Sequence, residues 1–259
     1  MRLICFYFLT LYYNIMLITI ILAGGEGKRM KSSIPKVLHT IHNKPMIFYV
    51  IEKALEIKSD KIFIVVGKYE DEIKSSIYIG FPKEFSNFIF VKQTDALGTG
   101  DAIRRCIPYT FSLDLSRKVL ILSADVPSIG IETLMNLIEH KNAVLTHTKE
   151  KPFGCGRILL DNNNNIQKIV EEKDCIEKQS LIQLINCGIY VCDLKTLQYV
   201  NEIKNNNASN EYYLTDLIEI AYNKGSPFKS VELPTEKMFE FFNINTSEEL
   251  ELAKHIMKK

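Results

Sequence analysis

The run Leu17-Ile18-Thr19-Ile20-Ile21-Leu22-Ala23, followed at once by Gly24-Gly25-Glu26-Gly27, constrains this chain more than any other feature. Seven residues that are almost all aliphatic read as a strand buried on both faces, and such strands belong to parallel sheets covered by helices. The glycines mark where the strand ends, and they let backbone N–H groups of the loop come close to a ligand. Further apolar runs at Lys61–Gly67, Asn87–Lys92, Lys118–Leu122 and Ala143–Thr148 repeat the pattern. Between them, Met46–Glu56, Gly100–Ile107 and Ile131–His140 place apolar residues at helical spacing. Strands alternating with helices predict an α/β fold, a mixed and mostly parallel central sheet flanked by helices. In such sheets ligands bind at the carboxyl ends of the strands, so the loops after Ala23, Lys92 and Leu122 are the places to look for chemistry.

The rhythm changes after residue 150. Arg157–Leu160 and Ile166–Val170 flank Asp161-Asn162-Asn163-Asn164-Asn165, a hairpin signal that predicts a small antiparallel lobe. A strand over Leu184–Cys192 follows. Helices are expected over Tyr212–Tyr222 and over Ser247–Ile256, the latter with Ser247 as N-cap and Glu248 and Glu249 in its first turn. No repeat and no Pro/Gly/Ser linker divides the chain, so residues 16–259 read as one domain. Residues 1–15 read as an apolar extension outside that domain, with Met16 a possible start. Thr10, Asn14 and Thr19 interrupt the apolar run and no small-x-small cleavage site precedes residue 22, which weighs against a targeting or anchoring segment without closing that alternative.

Composition excludes several partners. With 32 basic and 31 acidic residues the net charge is +1, so no basic field recommends a nucleic acid. Membrane association is expected only if residues 1–15 act as an anchor. The six cysteines, at 5, 106, 155, 175, 187 and 192, contain no C-x-x-C pair. They read as free thiols in a reducing, cytoplasmic compartment rather than as a disulfide framework or a zinc site.

Three motifs stand where the sheet predicts chemistry. Gly24-Gly25-Glu26-Gly27-Lys28-Arg29 with Pro35-Lys36 offers a backbone cradle and two cations for phosphates, though it is neither a Walker loop nor a dinucleotide fingerprint. Its alternative is a solvated turn. Gln93 through Gly98-Thr99-Gly100 offers an amide that can both donate and accept, as a base edge requires, beside glycines for close approach. Its alternative is a helix cap formed by Thr99. Asp125 in Ser123-Ala124-Asp125-Val126-Pro127 is a lone carboxylate after the most apolar strand, suited to Mg²⁺ beside phosphates. Its alternative is a cap for a helix beginning near Ser128. Four polar fragments in the second half, around Gly156, Glu171, Asn186 and Tyr213, suit sugar hydroxyls and an acetamido group.

In order and spacing, L-A-G-G-x-G-x-R-M…P-K, Q…L-G-T-G-D-A, A-D-V-P, G-x-G-R-I, V-E-E-K-D, N-x-G-I-Y and N-E-Y-Y-L-T-D resemble the sugar nucleotidyltransferases. The nearest resemblance is to the uridylyltransferase, or pyrophosphorylase, domain of the bacterial bifunctional N-acetylglucosamine-1-phosphate uridyltransferases, and it runs from about Leu17 to the C-terminus. The resemblance implies a Rossmann-like nucleotidyltransferase fold. It also implies formation of UDP-N-acetylglucosamine and pyrophosphate from UTP and N-acetylglucosamine 1-phosphate, with Mg²⁺ as cofactor. By the same resemblance Leu22, Ala23 and Gly24, with Gly25 in the same loop, would lie against the nucleoside, and Gln93, Gly98 and Thr99 would read the uracil edge. Arg29 and Lys36 would be the catalytic cations, and Asp125 and Asn245 the metal ligands. Gly156, Glu171, Asn186, Tyr213 and Thr215 would hold the amino-sugar phosphate. The chain departs from the family pattern at Ser123-Ala124, at Asn243, and at Cys155 and Cys187, where the family has G-Y-G-R and N-T-G. Another pair, such as glucose 1-phosphate or dTTP, and a catalytically silent homologue remain the rival readings. The bifunctional relatives carry a hexapeptide-repeat acetyltransferase half; no such period occurs here, so uridylyl transfer without acetyl transfer is expected.

Overall fold

The computed structural model describes residues 16–257; the extension at residues 1–15, and with it the question of targeting, lies outside the described residues. Within them, Leu17–Leu22 form β1, every residue of which is buried except the last. Its side chains divide between two core layers: Leu17 and Ile21 pack with one, Ile18 and Ile20 with the other. That two-sided burial is why the run contains almost no polar residue. The one exception, Thr19, bonds its hydroxyl to that of Ser59 at 2.6 Å.

The remaining strands, in chain order, are β2 (Thr40–Ile41), β3 (Lys44–Pro45), β4 (Lys61–Val66), β5 (Phe88–Lys92), β6 (Lys118–Ser123) and β7 (Ala143–Thr148). They continue with β8 (Arg157–Leu160), β9 (Asn165–Val170), β10 (Leu184–Asp193) and β11 (Phe228–Glu232). β2 and β3 form a separate two-residue ribbon; the other nine make one sheet in the order β5-β4-β1-β6-β10-β7-β11-β9-β8. β5, β4, β1 and β6 run parallel. β10 enters antiparallel to β6 and β7, and its first residues also pair with β8. Its register slips between Asn186 and Tyr190, a bulge that lets one strand belong to both the main sheet and the antiparallel lobe. The β8–β9 hairpin turns through Asn164 at φ 58°, with the Asp161 carboxylate accepting from the N–H groups of Asn163 and Asn165.

The expected helices Met46–Glu56 and Ser247–Ile256 have the bounds read from the sequence, and those near residues 100 and 131 span Thr99–Cys106 and Ile131–Glu139. Two expectations need correction. The helix expected from Tyr212 begins at Asp216, because the backbone of Tyr212 is tied to Leu97 and Gly100. The last helix is capped by Thr246 rather than Ser247: Thr246 Oγ1 accepts from the Glu249 N–H while Glu249 accepts from Thr246, and Ser247 instead donates to the Met30 carbonyl. A helix over Glu70–Gly80 and the strand β11 escaped the sequence pattern. The helix buries only Ile73 and Ile77 within its length, and β11, though paired on both sides by β7 and β9, is a five-residue run with only Phe228 and Val231 buried. No helix among the described residues is long and apolar enough to cross a membrane.

Candidate active site

The carboxyl ends of β1, β5 and β6 open onto one cavity of about 300 Å³. Leu22, Ala23, Gly24 and Gly25 supply one wall, Gln93, Gly98 and Thr99 the opposite one, and Lys36 and Asp125 the inner end. Close backbone packing shapes it. A Cβ on Gly67 would lie 2.6 Å from the Gly24 carbonyl oxygen, so the loop after β4 can approach the loop after β1 this closely only with a glycine at 67. Gln93 is buried, and its amide is fixed: Nε2 donates to the Gly98 carbonyl and to Asp101 Oδ2, both at 3.0 Å. Its Oε1 is thereby turned toward Gly24 as a lone acceptor on the cavity wall.

At the inner end four side chains meet. Lys36 Nζ donates to Asn245 Oδ1 at 2.9 Å and forms an ion pair with Asp125 Oδ2, the two charged side chains being only 12% and 13% exposed. The Arg29 guanidinium donates to the same Asn245 oxygen at 2.8 Å. Residues outside the cluster hold it in place. Ser123 Oγ donates to Asp125 Oδ1 at 2.7 Å, Glu249 accepts from the Asn245 N–H at 2.6 Å, and the Ile244 N–H donates to the Asp125 carbonyl at 3.0 Å. Gly27, at φ 64°, clears the path of Lys36, whose Cβ would otherwise lie 2.5 Å from a methyl group there. Asp125 therefore caps no helix; the helix that follows begins at Ile131, and the N–H of its N-cap residue Gly130 is bound by Glu240.

A second cavity, of about 730 Å³, begins where Arg29 and Asn245 stand and extends along the antiparallel lobe past Gly156, Glu171 and Asn186. Burial pushes the Glu171 carboxyl above the usual carboxylate range, opposed by the Thr215 hydroxyl, which donates to Glu171 Oε1 at 2.9 Å. The Asn186 N–H donates to the Gly156 carbonyl at 3.0 Å, and Asn186 Oδ1 accepts from the Gly188 N–H. Gly156 is required here, since a Cβ would come within 2.9 Å of the Ile169 side chain.

A family model described as nucleotidyl transferase matches residues 18–236, most of the chain. The chain belongs to the nucleotidyl transferase family. Among its relatives is a "Probable UDP-N-acetylglucosamine pyrophosphorylase" of Acanthamoeba polyphaga mimivirus, 41% identical over 251 residues, covering 92% of this chain and 95% of that protein. A "Bifunctional protein GlmU" of Caldanaerobacter subterraneus subsp. tengcongensis is 36% identical, covering 94% of this chain; the chain spans about half, 52%, of that protein's length. The fold matches the solved inositol-1-phosphate CTP transferase of T. maritima with a TM-score of 0.68 at 18% identity, over 95% of this chain and 98% of that one.

The nucleotidyltransferase fold brings most of the residues singled out from sequence to these two cavities. All seven residues that the resemblance assigns to the nucleotide lie on the wall of the first. Arg29, Lys36, Asp125 and Asn245 form the connected cluster between the two, and Gly156, Glu171 and Asn186 line the second. Two side chains serve otherwise than the sequence suggests. The Thr99 hydroxyl accepts from the Leu214 N–H at 3.1 Å, and Thr99 is the first helical residue, after Gly98 at the cap position, rather than the cap. Thr215 is buried and acts on the second cavity through Glu171. Tyr213 is half-buried beside it, in the segment whose Tyr212 carbonyl accepts from Gly100 at 2.7 Å. Sequence reading missed Gly27, Ser123 and Glu249, which position Lys36, Asp125 and Asn245, and also Glu211, which reaches the first cavity. Gly27, Ser123 and Glu211 lay inside motifs and Glu249 in the first turn of the last helix, but those patterns assigned them no role: Ser123 and Glu249 act on neighbours two and four residues away, and Glu211 reaches the cavity from more than a hundred residues off. Among the described residues, no group of three His, Cys, Asp or Glu side chains is arranged to hold a metal.

Proposed function

We propose that this chain transfers a uridylyl group from UTP to N-acetylglucosamine 1-phosphate, releasing pyrophosphate. The observation that carries this reading is the Arg29–Lys36–Asp125–Asn245 cluster at the junction of two cavities. One cavity is lined by backbone and an amide acceptor, the other by amide, carboxyl and glycine. A nucleoside triphosphate in the first would present its α-phosphorus to a sugar phosphate held in the second. The names of the mimivirus and bifunctional bacterial relatives support the choice of substrates. The Gln93 acceptor suits the N3–H of uracil.

In the reaction a phosphate oxygen of the sugar 1-phosphate attacks the α-phosphorus in line, and pyrophosphate leaves. The attacking group is already ionised near neutral pH, its second pKa being about 6, so the protein need supply no base. Its task is to bring anions together. Lys36 and Arg29 would place two positive charges beside the phosphates, Lys36 from a largely buried position that strengthens it and Arg29 from the exposed rim. The same cluster fits a hard divalent cation. Asp125 Oδ2, in the loop after β6, and Asn245 Oδ1, in the loop before the last helix, converge on a single cationic atom, Lys36 Nζ. They would hold Mg²⁺, which supplies further charge neutralisation to the bound phosphates.

The test is a pyrophosphate-release assay with purified protein, Mg²⁺ and a matrix of nucleoside triphosphates against sugar 1-phosphates. UTP with N-acetylglucosamine 1-phosphate should give the highest kcat/KM. Preference for glucose 1-phosphate or dTTP would correct the substrate assignment, and no pyrophosphate with any pair would sink the enzymatic reading.

A further inference from the structure

Two of the departures from the family pattern face each other beside the second cavity. The Asn186 N–H bonds the Gly156 carbonyl, and Ile185 is the register partner of Arg157. One residue beyond that bond on each strand stand Cys155, in the turn that leads into β8, and Cys187, at the start of the β10 bulge. Both thiols line the wall of the second cavity, together with Gly156 and Asn186. A disulfide requires Cα atoms about 4.4–6.8 Å apart, a span that two neighbouring turns can adopt. Each is a free thiol with a glycine neighbour at positive φ, Gly154 at 74° and Gly188 at 71°, where the backbone has room to adjust. A negative charge on Cys155 acts directly on the ionisation of Cys187.

Among the described residues, the other cysteines offer no such partner. Cys106 and Cys192 are fully buried in the opposite core layer. Cys175 donates its Sγ hydrogen to the Val170 carbonyl, and the charges acting on it are those of Arg157, Glu172, Glu171 and Asp174 rather than of another thiol.

We propose that Cys155 and Cys187 are a modification site, a dithiol that closes reversibly to a disulfide and clamps β8 to β10 behind the sugar-side cavity. Cys155 is the entry point. It is half-buried where Cys187 is 2% exposed, and Lys149 and Arg157 work against the burial that raises its thiol. With a peroxide as oxidant, the Cys155 thiolate attacks one oxygen, the O–O bond breaks, and the leaving hydroxide takes a proton to become water. The product is a sulfenic acid, the sulfur having lost two electrons. The Cys187 sulfur then attacks the Cys155 sulfur, the S–O bond breaks, and hydroxide leaves with the Cys187 proton as a second water. Two thiols and one peroxide become one disulfide and two waters; a small thiol reverses the change by exchange. The clamp pins the Gly154–Gly156 and Asn186–Gly188 turns and touches none of the loops around the first cavity.

The experiment treats the full chain with hydrogen peroxide, alkylates remaining thiols in denaturant, and maps the cysteines by mass spectrometry without reduction. The expected result is the loss of two alkylatable thiols and one cross-linked peptide pair joining Cys155 to Cys187. Both changes should reverse with dithiothreitol. The link should survive Cys175→Ser and vanish in Cys155→Ser. A link from Cys155 to Cys175, oxidation of Cys155 to sulfinate with Cys187 still alkylatable, or no thiol loss would each overturn the proposal. The kinetic arm rests on reading the second cavity as the sugar-phosphate site. There the oxidised protein should show at least a threefold higher KM for N-acetylglucosamine 1-phosphate with the KM for UTP unchanged. Equal constants in a fully cross-linked sample would refute the clamp. A chain that turns over no substrate would overturn the assigned reaction and leave the thiol map standing.

Discussion

The two cavities are built by different means. The first, proposed for the nucleotide, is walled mainly by strand ends and glycine loops after parallel strands, with one fixed amide and the Lys36 and Asp125 side chains. The second, proposed for the sugar phosphate, runs along the antiparallel lobe, where Gly156, Glu171 and Asn186 come from three separate stretches of the chain and Thr215 supports Glu171. A backbone cradle tolerates little change in shape, because Gly98 and Gly100 pack against the Tyr212 backbone and Gly24 against Gly67. A side-chain cradle can change its chemistry one residue at a time. The departures from the family pattern lean the same way: Cys155, Cys187 and Asn243 line the second cavity and only Ser123 the first, where the Leu22–Gly25 and Gly98–Gly100 loops are intact.

The comparison breaks most severely at the junction, where both halves depend on the same charges. Asp125→Ala should lower kcat by about 10²–10³-fold with either substrate varied, the effect of losing one preorganised electrostatic group. Retention of activity in the pyrophosphate assay would remove Asp125 from the reaction. A smaller and one-sided effect is expected from Gln93→Met, which keeps the volume and removes the acceptor. The KM for UTP should rise roughly 10-fold, as for the loss of one buried hydrogen bond, and the KM for the sugar phosphate should hold. Equal changes in both constants would show that Gln93 acts through Asp101 and the shared scaffold.

Thr215→Val is the mirror experiment. The hydroxyl that restrains the Glu171 carboxyl is lost, so that carboxyl should rise further and the sugar-phosphate KM should increase about 5-fold, again one hydrogen bond's worth, with UTP unaffected. The smallest effect concerns stability. Burial raises the Asp216 carboxyl from 3.8 to about 6. A carboxyl raised in the folded state carries no penalty below pH 4; as pH climbs from about 4 to 6 the unfolded chain ionises first and stability falls. Asp216→Asn removes that loss, so at pH 7 it should be more stable than wild type by on the order of 1 kcal/mol after solvent screening, with the two converging at pH 4 in urea melts. A difference independent of pH would assign the effect to packing.

The same division governs what could be read from the sequence. The parallel strands, the Gly24–Gly27 loop and Asp125 were legible because a buried strand and the loop after it are contiguous, and burial on both faces writes itself into composition. The helix start at Asp216 was not, because residues 212–215 are held by Leu97, Thr99 and Gly100, more than a hundred residues away. Ser123 and Glu249 stand only two and four residues from Asp125 and Asn245, yet their roles were not legible, because a Ser beside an Asp and a Glu in a first helical turn are common patterns whose bonds to a site depend on the local backbone. Asn245 itself was placed by resemblance rather than by spacing.

The bond from Lys36 to Asn245 joins residues 209 positions apart. Synthesis at 5–20 residues per second puts roughly 10–40 seconds between the appearance of one partner and the other. Through that interval the glycine loop and its lysine exist without the asparagine that completes them. A nascent chain can thus gather its nucleotide-side walls early and still remain inert, with turnover switching on only when the closing segment docks.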